Sequence, residues 1–229
     1  MERTSTIGSP HDALAKKLRG FGPLGVLTIL IILAGNFLFT PLSAILVLIW
    51  RSRSGTPWRQ IGFVAPKSWI KTILIGVLFG VAFKLVMKAI VMPILGAPAM
   101  NQAFHFLSHN PSALPYILYA VTIGGGFGEE TLYRGYMFER LGKLLGTGTA
   151  ARILIIIITS SLFAIAHYHE QGMPGVEQAL ITGLVFGSIY AARKEVFTLM
   201  IAHAAFDLTA VALIYYGLEE KVAHLFLFN

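Results

Sequence analysis

Three short patterns place chemistry in a chain that is otherwise apolar: Glu129-Glu130-x-x-x-Arg134, Phe163-x-x-x-His167 and His203-x-x-x-Asp207. On a helix Glu130 and Arg134 share a face, with the acid N-terminal to the base, which is the favourable orientation. Glu129 is turned about 100° away and is left for another partner. His203 and Asp207 are also one turn apart. With Arg134 as the counter-charge of Glu130, Glu129 is free to act as a general base on a water that His167 also holds. His203 and Asp207 would stabilise an oxyanion or orient a substrate. Alternatively Glu129, His167 and His203 are three N/O ligands, enough for a catalytic Zn2+ with an open position. The residue types leave both chemistries open. Gly124, Gly125, Gly126 and Gly128 precede the acids and would let a neighbouring helix or a substrate backbone come close.

A purely structural role competes with this: the same groups could form a satisfied polar cluster that holds helices together. Other chemistries lack their residues. There is no His-Glu-x-x-His run, and the glycines lack both the Gly-Lys-Ser/Thr ending and the preceding strand of a phosphate loop. No cysteine is present, so thiolate, disulfide and Cys-ligated metal chemistry is excluded. His105 and His109 fall in a surface or interfacial segment without a catalytic role. Glu177, Tyr168, His169 and Glu170 fall at a helix mouth.

The elements that must carry these groups follow from hydropathy. The 229 residues are 55% hydrophobic and 13% charged, with a mean hydropathy of +0.71, whereas a soluble domain carries about 25% charged residues. Backbone in lipid must satisfy its own hydrogen bonds, so the apolar runs read as helices. The fold class is all-α, a polytopic transmembrane bundle of about six spans with a four-helix catalytic core. The expected runs are 24–50, 69–92, 115–141, 150–169, 174–192 and 195–217. The first holds Asn36 and Pro41 and is either one kinked span or a hairpin, which would make seven. Four units follow: a polar basic tail (1–21), an N-terminal transmembrane region with a basic loop (22–112), a catalytic core (113–217) and a surface tail (218–229). The run behind the tail is too long for a cleaved signal peptide.

The net charge of +7 does not point to nucleic acid, because the bases lie in loops between apolar runs. Arg51, Arg53, Arg59, Lys67 and Lys71, then Arg140, Lys143 and Arg152, then Arg193 and Lys194 mark alternate loops, while 93–112 and 170–175 hold no Lys or Arg. Positive loops face the cytoplasm. The tail, with Arg3, Lys16, Lys17 and Arg19, joins them only if 24–50 turns back. Measured from the basic ends at 1.5 Å per residue, His203 lies about 12 Å deep, Glu129 about 16 Å and His167 about 22 Å. That implies an internal site reached from the cytoplasmic side. Lys84 and Lys88, one turn apart, line an inner groove or snorkel, and as a pair would suit an anionic ligand.

Taken together, the three patterns resemble the signature of the CPBP family, the CAAX prenyl proteases and bacteriocin-processing (Abi-type) intramembrane proteases, over about residues 113–217. The resemblance implies an intramembrane endopeptidase acting on membrane-associated proteins or peptides, with membrane lipids as its surroundings. It implies that Glu129 and His167 activate water, that Glu130 and Arg134 order the site, and that His203 and residue 207 face the scissile carbonyl. The third pattern of the family often ends in Asn, and here Asp207 stands in that place. Both metal-dependent and glutamate-dependent, metal-free mechanisms are argued for the family. Two other function classes compete: a non-catalytic chaperone, immunity or regulatory protein of the same fold, and a small transporter or channel. The matching pair of broken helices usual in transporters has no second half here.

Overall fold

The computed structural model describes residues 10–38 and 41–226. Residues 1–9 of the basic tail with Arg3, residues 39–40 of the turn expected at Asn36–Pro41, and residues 227–229 lie outside the described residues. Within them, all regular structure is helical. In chain order the main helices are α1 (Pro10–Arg19), α2 (Pro23–Leu38), α3 (Leu42–Ser54) and α4 (Trp69–Ile94). Next comes α5, which runs without a break through Leu114–Tyr119, Ala120–Met137 and Phe138–Leu145. Then follow α6 (Thr149–Ala166), α7 (Tyr168–Arg193), α8 (Phe197–Tyr215) and the short α9 (Glu219–Ala223).

Four of these, α4, α6, α7 and α8, are long and apolar enough to cross a membrane, and a fifth is gained if α1 and α2, bent by 64°, count as one span. The remaining expected runs are α2 with α3, and α5, which carries the charged motif. Lipid exposure shows on α4, where Ile70 is 73% and Leu78 69% exposed. A helix apolar all round yet exposed belongs in lipid. Inside α7, Gly172 adopts φ 62° and ψ −158°, a conformation open to glycine, so the membrane run starts at Pro174 as expected.

The run 24–50 takes the hairpin form. The Ser43 hydroxyl donates to the Ile32 carbonyl at 2.9 Å, and Gly35 lies against Ser43 and Leu46, so α2 and α3 pack antiparallel. At 1.5 Å per residue the 13 residues of α3 reach about 20 Å, short of a bilayer core of about 30 Å. Its start at Pro41 lies beside Gly128, in the middle of α5. The hairpin therefore enters from one end of the bundle and turns back inside it. At that end Trp50 donates its indole N–H to Leu18 O at 3.1 Å, and Arg140 donates to Arg19 O and Gly20 O, both at 2.8 Å. Val196 N–H reaches Gly62 O at 3.0 Å. Lys16, Lys17 and Arg19 thus share an end with the basic loops, which removes the conflict over the tail.

A stripe of small residues sets the closest helix crossing. A Cβ added at Gly80 of α4 would stand 2.2 Å from Ala202 O, and one at Gly76 2.7 Å from Ile201, so α4 and α8 touch backbone to backbone. Most described residues of the C-terminal tail are exposed, and Glu219 and Ala223 are the buried ones among them. Glu219 pairs with Lys88 at 3.0 Å and accepts the Asn101 N–H at 3.0 Å. A buried lysine needs a counter-charge, and the sequence alternation in the tail does not reveal where that charge goes.

Gly80→Ala is expected to lower the thermal unfolding temperature in detergent, with about 1–3 kcal/mol lost to overpacking. Gly142→Ala, where nothing lies within 4 Å, should leave it unchanged or slightly raised.

Candidate active site

Three helices bring the expected groups together. α5 supplies Glu129, Glu130 and Arg134, the end of α6 supplies Phe163 and His167, and α8 supplies His203 and Asp207. One carboxylate oxygen joins two helices: Glu130 Oε1 accepts from Arg134 Nη1 at 2.7 Å and from His203 Nδ1 at 2.8 Å. All three side chains are at most 4% exposed. Arg134 also reaches Gly183 O of α7 at 3.5 Å. Phe163 and Phe186, both buried, bracket this cluster. Their rings lie 5.9 and 5.7 Å from the His203 ring, and 5.0 and 5.5 Å from the Arg134 guanidinium. Aromatic faces pair with cations and keep water out.

The other edge of His203 is the open one. Its Nε2 lies 3.5 Å from Glu129 Oε2 and 3.5 Å from Asp207 Oδ2, and these carboxylates are 17% and 27% exposed. They converge over Gly125, where a Cβ would stand 2.8 Å from Asp207 Oδ2 and 3.9 Å from Glu129 Oε2. The residues Ala120–Met137 form a wide, π-type helix, an arrangement found mostly at functional sites and tolerated here by the glycine run. His167 Nδ1 lies 2.8 Å from Phe163 O. A carbonyl only accepts, so Nδ1 carries the proton, and in the neutral ring Nε2 is an acceptor.

Glu129, His167, His203 and Asp207 all line one cavity of about 490 Å³. Its lining continues to Asn101, Phe104, Phe106 and Leu107 of the loop after α4 and to Glu170 and Gln171. These belong to the two segments that hold no Lys or Arg. Toward the basic loops, Trp50, Ile61 and Tyr136 belong to one buried cluster and Phe138 to another, and Phe63 packs against both.

The zinc alternative gains no support from the geometry. Among the described residues no group of three or more His, Cys, Asp or Glu is arranged to hold a metal ion. Glu129, His167 and His203 line the same cavity without being gathered into such a ligand set, while Phe163 O and Glu130 take up Nδ1 of the two imidazoles and leave each Nε2 available. The metalloprotease reading is therefore not supported.

Some site residues escaped the sequence reading. Asn36 of α2 lines the cavity and donates to the Tyr133 hydroxyl at 3.3 Å. Its position inside an apolar run was visible, but its partner was not. Gln178 accepts from Lys84 Nζ at 2.8 Å, with the ammonium 4.6 Å from the Phe206 ring centre. Lys84 belongs to the inner face expected of it.

The family model described as Type II CAAX prenyl endopeptidase Rce1-like matches residues 111–209. Those residues are Rce1-like. The match covers Glu129, Glu130, Arg134, His167, His203 and Asp207, and it is consistent with the CPBP resemblance. No curated protein and no solved structure matches the chain. The Rce1-like segment and the apolar helices together point to an integral membrane protein. It ends before the tail and excludes α1–α4, so the hairpin that carries Asn36 lies outside it.

Arg134→Ala would leave Glu130 charged and buried without its counter-ion. The expected cost is about 3–5 kcal/mol, read as loss of folded, monodisperse protein in detergent. Gly125→Ala should instead fold normally and displace the Asp207 carboxylate, with activity reduced at least tenfold.

Proposed function

We propose that this protein is an intramembrane endopeptidase that hydrolyses peptide bonds of membrane-associated proteins or peptides. The reading is carried by one observation: an acid and two imidazoles from three helices face a single cavity within a bundle whose C-terminal half is Rce1-like. Residues 113–217 serve as the catalytic core, and the substrate enters from the end lined by the Lys/Arg-free loops.

Water is held between two acceptors, Glu129 and the Nε2 of His167. As the water oxygen bonds to the scissile carbonyl carbon, the carbonyl π pair moves onto its oxygen and one water proton passes to Glu129. Collapse of the tetrahedral species restores the carbonyl and breaks the C–N bond. The leaving amine takes the proton from Glu129. Every proton is accounted for without a further group.

Glu130 and Arg134 act at one remove. By fixing Nδ1 of His203, Glu130 turns Nε2 toward Glu129 and Asp207, and His203 then spaces the two acids that would otherwise repel. Asp207, the more exposed, is the group placed to orient the substrate. In its ionised form Asp207 has no proton to donate, and the oxyanion then takes its donor from another residue.

Glu129→Gln and His167→Ala are each expected to reduce cleavage of a membrane-tethered fluorogenic reporter by about 10²–10⁴-fold, with thermal unfolding in detergent unchanged. Full cleavage by both variants would end the protease reading. A cellular phenotype that survives both would assign the protein to the non-catalytic class.

A further inference from the structure

The proposed hydrolysis concentrates negative charge on the carbonyl oxygen, and such a site needs a hydrogen-bond donor aimed at it. Among the donors that line the cavity, Tyr116 and Tyr119 are exposed and Gln171 and Gln178 lie on α7, and of the remaining donors several are committed. His203 gives Nδ1–H to Glu130, and any proton on Nε2 is shared between two carboxylates at 3.5 Å. His167 spends its Nδ1–H on Phe163 O, so its neutral ring offers the cavity an acceptor. Lys84 gives one of its three N–H bonds to Gln178 with the ammonium held against the Phe206 ring, and Thr182 donates to Gln178 O at 2.8 Å. Asn101 keeps its Nδ2 hydrogens, but it lies in the loop after α4, where its Oδ1 accepts from Phe104 N–H and its own N–H goes to Glu219.

Asn36 differs from these in being tied to Tyr133, on the helix that carries Glu129. Its carboxamide lines the cavity with Glu129. Among the described residues its hydrogen-bond partner is the Tyr133 hydroxyl, which takes one of the two Nδ2 hydrogens. Tyr133 stands one turn after Glu129 on α5, and Pro41, at the inner end of the same hairpin, packs on Gly128. The hairpin therefore sets Asn36 at the level of the proposed base. A neutral carboxamide also adds no charge to a cavity that already holds Glu129 and Asp207.

We propose that Asn36, delivered by the re-entrant hairpin α2–α3, is the oxyanion donor of this site and thus a catalytic residue outside the Rce1-like segment. The proposal rests on the hydrolytic reading above. As water adds to the carbonyl carbon, the second Nδ2–H of Asn36 donates to the oxygen that receives the π pair. No proton leaves Asn36, and the bond relaxes when the carbonyl re-forms. The first hydrogen, held by Tyr133, fixes the plane of the amide.

The test uses the full-length protein in detergent with the membrane-tethered fluorogenic peptide. Asn36→Ala and the isosteric Asn36→Asp should each lower kcat by about 10²–10³-fold with KM within about threefold of the parent. Inhibition by a peptidyl phosphinate, an anionic mimic of the tetrahedral species, should weaken in step with kcat. Tyr133→Phe keeps the carboxamide and should lose less than tenfold. The proposal is overturned if both Asn36 variants stay within threefold of the parent, or if Tyr133→Phe falls as far as Asn36→Ala. It is equally overturned if Asn36→Asp unfolds below the assay temperature, since Asn36 is then a structural residue. A parent protein that cleaves no reporter while Glu129→Gln changes nothing would instead sink the hydrolytic reading itself.

Discussion

One oxygen atom, Oε1 of Glu130, carries the architecture of the site. It accepts from Arg134 within its own helix and from His203 on α8, so a fully buried carboxylate joins local and tertiary structure. Charges taken out of water are tolerated only when paired and hydrogen-bonded. Here that requirement dictates how α5 and α8 meet. Because Nδ1 of His203 is held, its Nε2 must face the cavity, and the two more exposed acids gather round it. The aromatic bracket of Phe163 and Phe186 strengthens each of these contacts by lowering the local dielectric.

Close approach makes that geometry reachable. Gly125 leaves room for two carboxylates over bare backbone, and Gly126 lets Met200 O and Ala204 come within 2.9 Å of where a Cβ would be. The same device seats α4 on α8 through Gly76 and Gly80. Without a hydrophobic effect between helices in lipid, van der Waals contact and polar bonds are the available sources of association. The motif's glycines and its charges are thus two parts of one solution.

The hairpin adds what the matching half of the chain lacks. Neither arm is long enough to be a comfortable span, yet together they reach the middle of the bundle, where backbone ends can exist only if buried in protein or facing a cavity. Pro41 against Gly128 and Asn36 against Tyr133 meet that condition. The cavity lining runs from the motif residues to the Lys/Arg-free loops. The Lys88–Glu219 pair ties the C-terminal tail to α4 and to the loop after it, next to that lining.

The helical membrane class, the positions of α4 to α8, and the grouping of Glu130 with Arg134 and His203 with Asp207 were legible in the chain, because each depends on hydropathy over about twenty residues or on spacing within one turn. The shared end of the basic segments was half legible, waiting on whether 24–50 crosses or turns back. Only the tertiary structure decided that Asn36 stands beside Tyr133, that Glu219 answers Lys88, that Nδ1 atoms of both histidines are spent, and that one cavity joins the motif residues to the loop after α4. Such facts depend on which faces of distant helices meet. Periodicity along one helix tells which residues share a face, but not what that face will touch.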